Sequence, residues 1–383
     1  MFKNVKKILA IKLRHIGDVL LTMPVMRALK ETFPDSDISV LVNKGTEDVL
    51  TENPLINEVI TFERNIKDMS SIKRIGKEMA FLKMLRAKGF DMTIDLTGGD
   101  RAAVASFSSG ARYRIGIKTS RGFAGKSFLY THTAEPDGRK HTVLQNMDVV
   151  KKFGISTSDL SVDFYIPQTE RESIKLVLKK CNINQNDILM HIHPTSRWLF
   201  KCWKDEHMAE IIRWLIQKGI KVILTSSPDR REIEKAENII SLVSAEDADG
   251  LINLCGKTSI KGIGAVSEVS SLFFGVDSAP MHIAAAVNTP VVALFGPSGA
   301  FHWGPWDNES LEFRVGSVEL KTPYNKRNGL QTFGIHTVIQ KSDDCIPCGK
   351  DGCKGSKKSR CLEDITPEEV KKVLHKKLEA IRK

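Results

Sequence analysis

One stretch leaves this chain very few folds. The apolar run Ser271-Leu272-Phe273-Phe274-Gly275-Val276 is followed by a short polar turn, Asp277-Ser278, and then by Ala279-Pro280-Met281-His282-Ile283-Ala284-Ala285-Ala286. Asn288-Thr289-Pro290 leads into a second apolar run, Val291-Val292-Ala293-Leu294-Phe295, which ends at Gly296-Pro297. Pro280 sits where a first helical turn would be, so the pattern is strand, turn, helix, strand with almost no slack. Its polar side chains, Asp277, Ser278 and His282, gather at the turn, and a helix N-terminus there offers unpaired N–H groups to an anion. Two readings fit these residues. Either Asp277 or Ser278 caps a helix joining two buried strands, or the turn seats the diphosphate and sugar of a nucleotide-sugar donor.

The same alternation runs through the rest of the chain. A first strand is predicted over residues 7–13, with Gly17 turning the chain into a helix that runs from Val19 to about Phe33 and has Asp18 at its start. Strands follow over residues 38–42, 58–62 and 91–96, the last ending in Thr97-Gly98-Gly99, with a helix over 75–87 between them. Residues 111–141 are polar and rich in Gly and Arg and read as a long loop. A helix over 142–153 and a strand over 162–166 close the first half. The second half repeats the theme, with strands over 188–193 and 221–225, helices over 205–218 and from Ser226 onward, a strand end and cap over 254–260, and a last helix over 366–383.

Strands alternating with helices imply parallel sheets covered on both faces, and 383 residues exceed one ordinary core. The expected fold class is therefore α/β, with two Rossmann-like doubly wound domains facing a central cleft. They are placed at residues 1–167 and 168–365, the second carrying a cysteine-rich loop at 345–361 and followed by a C-terminal helix at 366–383. Ligands in open α/β sheets bind outside the carboxyl ends of the strands. Asp18, Gly98-Gly99, Thr195-Ser196, Ser226 and Asp277 all fall at such ends.

Composition narrows the function classes. Hydrophobic residues at 41% and charged residues at 27% are ordinary for a globular chain. No apolar run approaches 18 residues, which excludes a membrane-spanning helix. Residues 1–7 are basic, but the apolar stretch after them is broken by Lys12 and Arg14 and reads as a strand rather than a signal core, so a cytoplasmic protein is expected. The net charge of +11, from 57 Lys and Arg against 46 Asp and Glu, favours anionic partners: phosphorylated substrates, an anionic membrane face or nucleic acid. The basic clusters at 350–360 and 371–383 lack the interleaved aromatics of a single-strand binder.

Two blocks, Arg14-His15-Ile16-Gly17-Asp18-Val19-Leu20-Leu21-Thr22-Met23-Pro24 and residues 277–286 with Phe295-Gly296-Pro297, resemble the signature blocks of bacterial lipopolysaccharide core heptosyltransferases, glycosyltransferase family 9. A third, His193-Pro194-Thr195-Ser196-Arg197-Trp198-Leu199-Phe200-Lys201-Cys202-Trp203, is nearest the heptosyltransferase III branch. The resemblance covers residues 7–340 and implies a GT-B architecture with an acceptor-binding N-terminal and an ADP-sugar donor-binding C-terminal domain. It implies inverting transfer of L-glycero-D-manno-heptose from ADP-heptose to the lipopolysaccharide inner core, with no cofactor. It assigns Asp18 as general base on the acceptor hydroxyl. A helix N-terminus weakens a carboxylate as a base, but a weak base suffices where the proton leaves late. Lys201 matches the lysine on the donor diphosphate, where growing negative charge makes a fixed ammonium worth about two to four kcal/mol of barrier. Thr195 and Ser196 match the hydroxyl pair near the same phosphates, Thr258 the position flanking the adenine, and Asp277 the contact to the donor sugar. Ser278, Ala279, Pro280 and Met281 match the phosphate turn, Pro280 having no N–H to offer, and His282 matches the histidine of that block. Asp229 and Glu232 both stand as candidates for the adenosine ribose. Arg101, Arg112, Arg114 and Arg121 have the charge to grip phosphates of a lipid-linked core oligosaccharide acceptor, or are solvated loop residues. The partners implied are the ADP-sugar, that acceptor, and the cytoplasmic face of the inner membrane, met peripherally; nucleic acid is not expected.

Cys345-x2-Cys348-x4-Cys353-x7-Cys361 remains outside this scheme. In a cytosolic chain such spacing favours a metal clip over disulfides, and four thiolates could hold a structural Zn²⁺. The family chemistry requires no metal, and two of the gaps depart from paired C-x2-C. Three rival readings stay in view: the same family with another acceptor heptose or ADP-sugar, a nucleotide-dependent oxidoreductase, and a nucleic-acid binder using the basic cysteine-rich tail. The oxidoreductase lacks its G-x-G-x-x-G fingerprint here.

Overall fold

Short apolar runs rich in Ile, Val and Leu become buried parallel strands when helices cover both faces. The computed structural model describes residues 2–63, 71–119, 122–184, 187–244, 249–309 and 323–382. These form two units that part between Tyr165 and Ile166. In the first, β1 (Lys7–Lys12), β2 (Asp37–Asn43), β3 (Glu58–Phe62), β4 (Met92–Asp95), β5 (Tyr113–Ile117) and β6 (His132–Ala134) make a six-stranded sheet among the described residues. Every pairing is parallel, and the order is β3-β2-β1-β4-β5-β6. That is the doubly wound order, which reverses direction between β1 and β4. The accompanying helices are α1 (Ile16–Leu20), α2 (Met23–Thr32), α3 (Ser71–Ala87), α4 (Asp100–Ser108) and α5 (Thr142–Lys151).

The second unit repeats the plan. Its elements are α6 (Gln168–Lys180), β7 (Leu189–His193), α7 (Asp205–Gln217), β8 (Lys221–Leu224), α8 (Arg230–Ser241), β9 (Leu251–Asn253), α9 (Ile260–Glu268), β10 (Leu272–Val276), α10 (Ala279–Ala286) and β11 (Val291–Leu294). After them come α11 (Ala300–Trp303), β12 (Gln331–Phe333), β13 (His336–Ile339), α12 (Arg360–Glu363) and α13 (Pro367–Arg382). The sheet runs β12-β13-β11-β10-β7-β8-β9, parallel except for the β12–β13 pair at its edge, and reverses between β7 and β10. Met190, Ile192, Trp203, Leu272 and Phe274 are buried together at its centre, and Leu374 and Leu378 bring α13 into the same core. Each such apolar side chain contributes roughly 1.5–3 kcal/mol by leaving water. Trp203 satisfies its indole N–H on the Ile365 carbonyl at 3.0 Å, which ties the segment before α13 to this core.

Three expectations need correction. The helix expected from Val19 to Phe33 is two helices, because Pro24 has no N–H and its ring collides with the carbonyl four residues back, so a continuous helix through Leu20 is blocked. The stretch 111–141 is not one loop; it carries β5 and β6. Gly116 in β5 lets the Tyr130 ring lie on the strand, where a Cβ would stand 2.3 Å from a ring carbon. Residues 162–166 are extended, with Val162, Phe164 and Ile166 buried, yet they join no ladder. Arg27 instead fixes the chain just before them by donating to the carbonyls of Asp159 and Ser161 at 3.0 and 2.9 Å. The β12–β13 hairpin was not expected at all.

Candidate active site

In each unit the candidate residues collect where the strand order reverses. β7 and β10 pair directly, with Gly275 opposite His193. Only glycine fits there, since a Cβ on Gly275 would lie 2.6 Å from the His193 carbonyl oxygen. β7 runs out into Pro194-Thr195-Ser196 and β10 into Asp277-Ser278, so these two turns emerge side by side. A short 3₁₀ turn, Leu199–Lys201, returns the Lys201 ammonium to within 2.6 Å of Asp277 Oδ2. Asp277 is almost wholly buried. Burial alone would raise its carboxyl, but the Lys201 ammonium and a hydroxyl donated by Ser298, with His282 beside them, hold it below the usual carboxylate range. The residues matched to diphosphate and to sugar are therefore paired with each other.

The turn after β10 is bare of internal partners. Ser278 occupies the cap position of α10 without using its side chain as a cap, and its hydroxyl is buried with no hydrogen-bond partner among the described residues. The N–H groups of Ser278 and Ala279 have no acceptor among the described residues. Pro280 has none to offer, and the Met281 N–H bonds the Ser278 carbonyl at 3.2 Å. The donor set expected over residues 278–281 thus narrows to two groups, because the helix starts with a tight turn. Across the strand pair, the N–H groups of Thr195, Ser196 and Arg197 also lack acceptors among the described residues. Five N–H groups and one ammonium around a strand-order reversal are what an anion would need.

The Thr195 and Ser196 hydroxyls are engaged elsewhere. Thr195 is fully buried and donates to Glu232 Oε2 at 2.8 Å, while Ser196 Oγ accepts the Trp198 N–H at 3.3 Å. Behind Thr195 runs a buried chain that the sequence did not reveal. His193 Nδ1 and His191 Nε2 share the Thr225 hydroxyl at 2.9 and 2.8 Å, and His191 Nδ1 meets Ser267 Oγ at 2.8 Å. Burial keeps both imidazoles neutral, His193 with its pKa down to about 3 and His191 well below its ordinary value. Strand alternation was the available clue, because His191 and His193 share one face of β7. Of the two ribose candidates, Asp229 caps α8 by accepting the Arg231 N–H at 3.0 Å and is held low by the same residue's guanidinium. Glu232 is buried on Thr195. Thr258 Oγ1 is buried without a partner among the described residues, whereas Ser259 is the cap of α9, accepting the Gly262 N–H at 2.8 Å.

In the first unit Asp18 follows β1. The cap of α1 is His15, so Asp18 is the third helical residue and not a cap, and Gly17 lies inside the helix rather than at a turn. The Asp18 carboxylate makes no hydrogen bond or ion pair among the described residues. Beneath it lies Lys12, which composition would place on the surface and which is instead buried. Its ammonium donates to the Leu96 carbonyl at 2.8 Å and to Asn146 Oδ1 at 3.0 Å, and Asn146 in turn donates to the Leu21 carbonyl at the end of α1. Burial lowers the Lys12 pKa to about 8, with Asp18 the largest opposing charge. At the end of β4, Asp95 is buried and raised by that burial; it accepts the Tyr130 hydroxyl at 2.5 Å and the Thr97 N–H at 2.7 Å.

Of the four arginines considered for phosphate, the three among the described residues are engaged. Arg114 donates to the carbonyls of Leu129 and Ala111, both at 2.7 Å. Arg101 lies over the Phe62 ring and pairs with Glu78 at 3.4 Å, and Arg112 lies over Tyr113. Arg121 lies outside the described residues. Among the described residues no group of His, Cys, Asp or Glu side chains is placed to hold a metal ion. Cys345, Cys348 and Cys353 are exposed free thiols. Cys361 is a buried one, pushed up to about 12 by burial and then by those three neighbours.

The sequence profile of glycosyltransferase family 9 (heptosyltransferase) matches residues 79–328. Lipopolysaccharide heptosyltransferase 3 of Escherichia coli K12 is 33% identical over 342 residues, which span 88% of this chain and 96% of that protein. Among solved structures, a glycosyl transferase family 9 protein of Veillonella parvula superposes with a TM-score of 0.76 at 20% identity, covering 98% of this chain and 97% of the other. The ADP-heptose lps heptosyltransferase II of E. coli gives 0.73 at 20%, covering 98% and 100%. The fold they share with this chain is the GT-B arrangement of two doubly wound domains.

Proposed function

Because the chain belongs to glycosyltransferase family 9, the heptosyltransferases, we propose that it transfers L-glycero-D-manno-heptose from ADP-heptose to the inner core of lipopolysaccharide; its relative in Escherichia coli K12 is by name a lipopolysaccharide heptosyltransferase. The first unit takes the lipid-linked acceptor and the second takes the donor. The acceptor hydroxyl oxygen attacks the anomeric carbon as the bond to the ADP oxygen breaks, so the configuration inverts. Asp18 receives the hydroxyl proton, and the negative charge of the departing ADP falls on Lys201 and the N–H groups of Ser278 and Ala279. These donors are fixed before reaction, which is what makes them more useful in the transition state than in the ground state. Lys12 and Asn146 hold the short helix that carries Asp18. The reaction runs at the cytoplasmic face of the inner membrane, to which the chain binds peripherally. Among the described residues no helix is long and apolar enough to cross a membrane.

One observation carries the reading. The reversal in the second sheet combines an ammonium with five N–H groups that have no acceptor among the described residues, at the place where doubly wound folds bind ligands. The test uses ADP-heptose and core lipopolysaccharides truncated at different heptoses. Asp18→Asn should bind ADP-heptose as the wild type does in calorimetry while transfer falls at least about a hundredfold, the scale of lost general-base catalysis. Unchanged turnover removes Asp18 from the mechanism. If no truncated core is labelled and ADP-heptose does not bind, the heptosyl reading fails altogether.

A further inference from the structure

Asp277 is only as well placed as the turn beside it. Strands β10, β11 and β13 are neighbours, and their carboxyl ends are tied in sequence: the Asp277 N–H bonds the Leu294 carbonyl at 3.1 Å, and the Phe295 N–H bonds the Ile339 carbonyl at 2.9 Å. Where β11 ends, Gly296-Pro297-Ser298 leaves the sheet, and the half-buried Ser298 gives its hydroxyl to Asp277. These three residues have no strand ladder to fix them, yet each of their carbonyls is held from elsewhere in the chain. Gln340, the first residue after β13, donates its side-chain amide to the Gly296 carbonyl at 2.8 Å and to the Ser298 carbonyl at 2.7 Å. The Pro297 carbonyl accepts the N–H groups of Cys348 and Gly349 at 3.1 and 3.0 Å, so the cysteine-rich loop braces the same turn.

Both protons of the Gln340 amide are used in this way, and two carbonyl acceptors leave no doubt which end of the amide faces the turn. Its other end is left stranded. Gln340 is 5% exposed, and Oε1 is buried without a partner among the described residues. A buried acceptor with no donor works against folding and calls for an explanation. The two bonds Gln340 makes are set against the one it forgoes, so it does more for the direction of the turn than for the stability of the fold.

We infer that Gln340 is a positioning residue for the donor site: by holding the carbonyls of Gly296 and Ser298 it aims the Ser298 hydroxyl at Asp277, and so fixes the carboxylate on which the Lys201 ammonium rests. A carboxylate pinned by a hydroxyl cannot rotate and carry that ammonium, 2.6 Å away, off the turn of Ser278 and Ala279. The hydrogen bonds of Gln340 go to the turn and to none of the residues assigned to chemistry. The inference deepens the proposed donor site and rests on that reading only for the identity of the ligand.

A double-mutant cycle on the full chain tests it. Gln340→Met keeps the length of the side chain and removes both donors; Ser298→Ala removes only the hydroxyl. Two quantities are read: ADP-heptose affinity by calorimetry, and the titration of the Asp277 carboxyl by carbon-13 NMR, its signal assigned by its loss in Asp277→Asn. Ser298→Ala should weaken ADP-heptose about tenfold, the scale of one hydrogen bond to a charged group, and Gln340→Met at least about threefold. Both should move the Asp277 titration upward, because a hydrogen bond to its charged form is lost. In the Ser298→Ala background, Gln340→Met should add less than about a further twofold. Ser298→Thr, which keeps the hydroxyl, should match the wild type. The inference is overturned if the two substitutions multiply, as independent residues do, or if Ser298→Ala leaves the Asp277 titration unmoved. A Gln340→Met protein with a lower thermal transition but a wild-type Asp277 titration shows a merely structural role and also overturns it. A wild type that does not bind ADP-heptose refutes the heptosyl reading instead, and the Asp277 titrations then decide this inference by themselves.

Discussion

Replacing Lys201 by methionine should separate what the Lys201–Asp277 pair does for stability from what it does for catalysis. The substitution keeps the stem of the side chain and removes the ammonium, leaving a carboxylate whose side chain is 8% exposed with only Ser298 and His282 to support it. Breaking a buried pair this way costs about 3–5 kcal/mol, and the 22% exposure of Lys201 reduces that to roughly 2–3 kcal/mol through solvent screening. For a unit near 200 residues this corresponds to a fall of roughly 5–10 °C in the thermal transition. Adding Asp277→Asn to Lys201→Met removes the stranded charge, so the double variant should regain about 2 kcal/mol relative to the single one. Transfer should not return with it. Loss of the ammonium is expected to lower the rate by about 10²–10³ in both variants. The pH dependence has a definite sign. In the wild type the lowered carboxyl of Asp277 contributes stability above the unfolded value near 3.8, and that contribution is lost as pH falls through the folded value. In Lys201→Met, burial dominates and raises the carboxyl, so its penalty shrinks on acidification and the gap to wild type closes towards pH 4. Calorimetric transitions at pH 7.5 and 4.5, with single-turnover rates, measure all of this. A single variant within about 0.5 kcal/mol of wild type at pH 7.5, or a double variant no more stable than the single, would refute the claim that the pair is buried and coupled.

Two further outcomes follow from buried titratable groups. Lys12→Met should leave stability near pH 7 close to wild type, because two lost hydrogen bonds are offset by about 3 kcal/mol of ammonium desolvation, yet transfer should slow as α1 loses its anchor. Since the folded pKa of Lys12 is about 8 and the unfolded one 10.5, wild-type stability should rise between those pH values and the variant's should not; parallel urea midpoints for the two proteins across that window would count against a buried ammonium. His193 and His336, both with pKa near 3 when folded, bind protons only on unfolding in the window between about 3 and 6.5. Stability should therefore fall with pH through that window, by about 2 kcal/mol per histidine at pH 5. Unfolding at pH 5 should take up at least two protons by potentiometry, and uptake below one would show that these imidazoles are not buried neutral.

Period and punctuation carried most of the fold. The apolar runs ending at Gly275 and at His193, the proline opening α10 and the small-residue helix after it are local signals, and the structure places their elements within a residue or two of expectation. What failed to show was non-local. Short strands such as β5 and the edge strand β6 have little apolar period of their own, and they form because Gly116 admits Tyr130, whose hydroxyl reaches Asp95 in β4. The division of α1 from α2 was legible in Pro24 and went unread. At the site, residue types pointed to Asp277 and Ser278 and the family resemblance to Lys201, but neither told which groups bind each other. Ser298 on Asp277, Glu232 on Thr195 and the histidine chain behind them join residues far apart in sequence, and no spacing rule reaches across such gaps.

On the proposed reading, the pairing of Lys201 with Asp277 also explains why a site for diphosphate would contain a buried acid. A free lysine samples many rotamers, and fixing one costs up to about 2 kcal/mol each time an anion binds. Asp277 meets that cost at folding, because the ammonium is already held 2.6 Å from its carboxylate and beside the turn with unsatisfied N–H groups. An ammonium has three protons, so one can stay on Asp277 while the others turn to incoming oxygens. Asp277→Asn alone should accordingly weaken donor binding even though it removes a negative charge from an anion site. A purely electrostatic role for Asp277 requires the opposite, tighter binding of ADP-heptose to the variant, and calorimetry at a single pH decides between them.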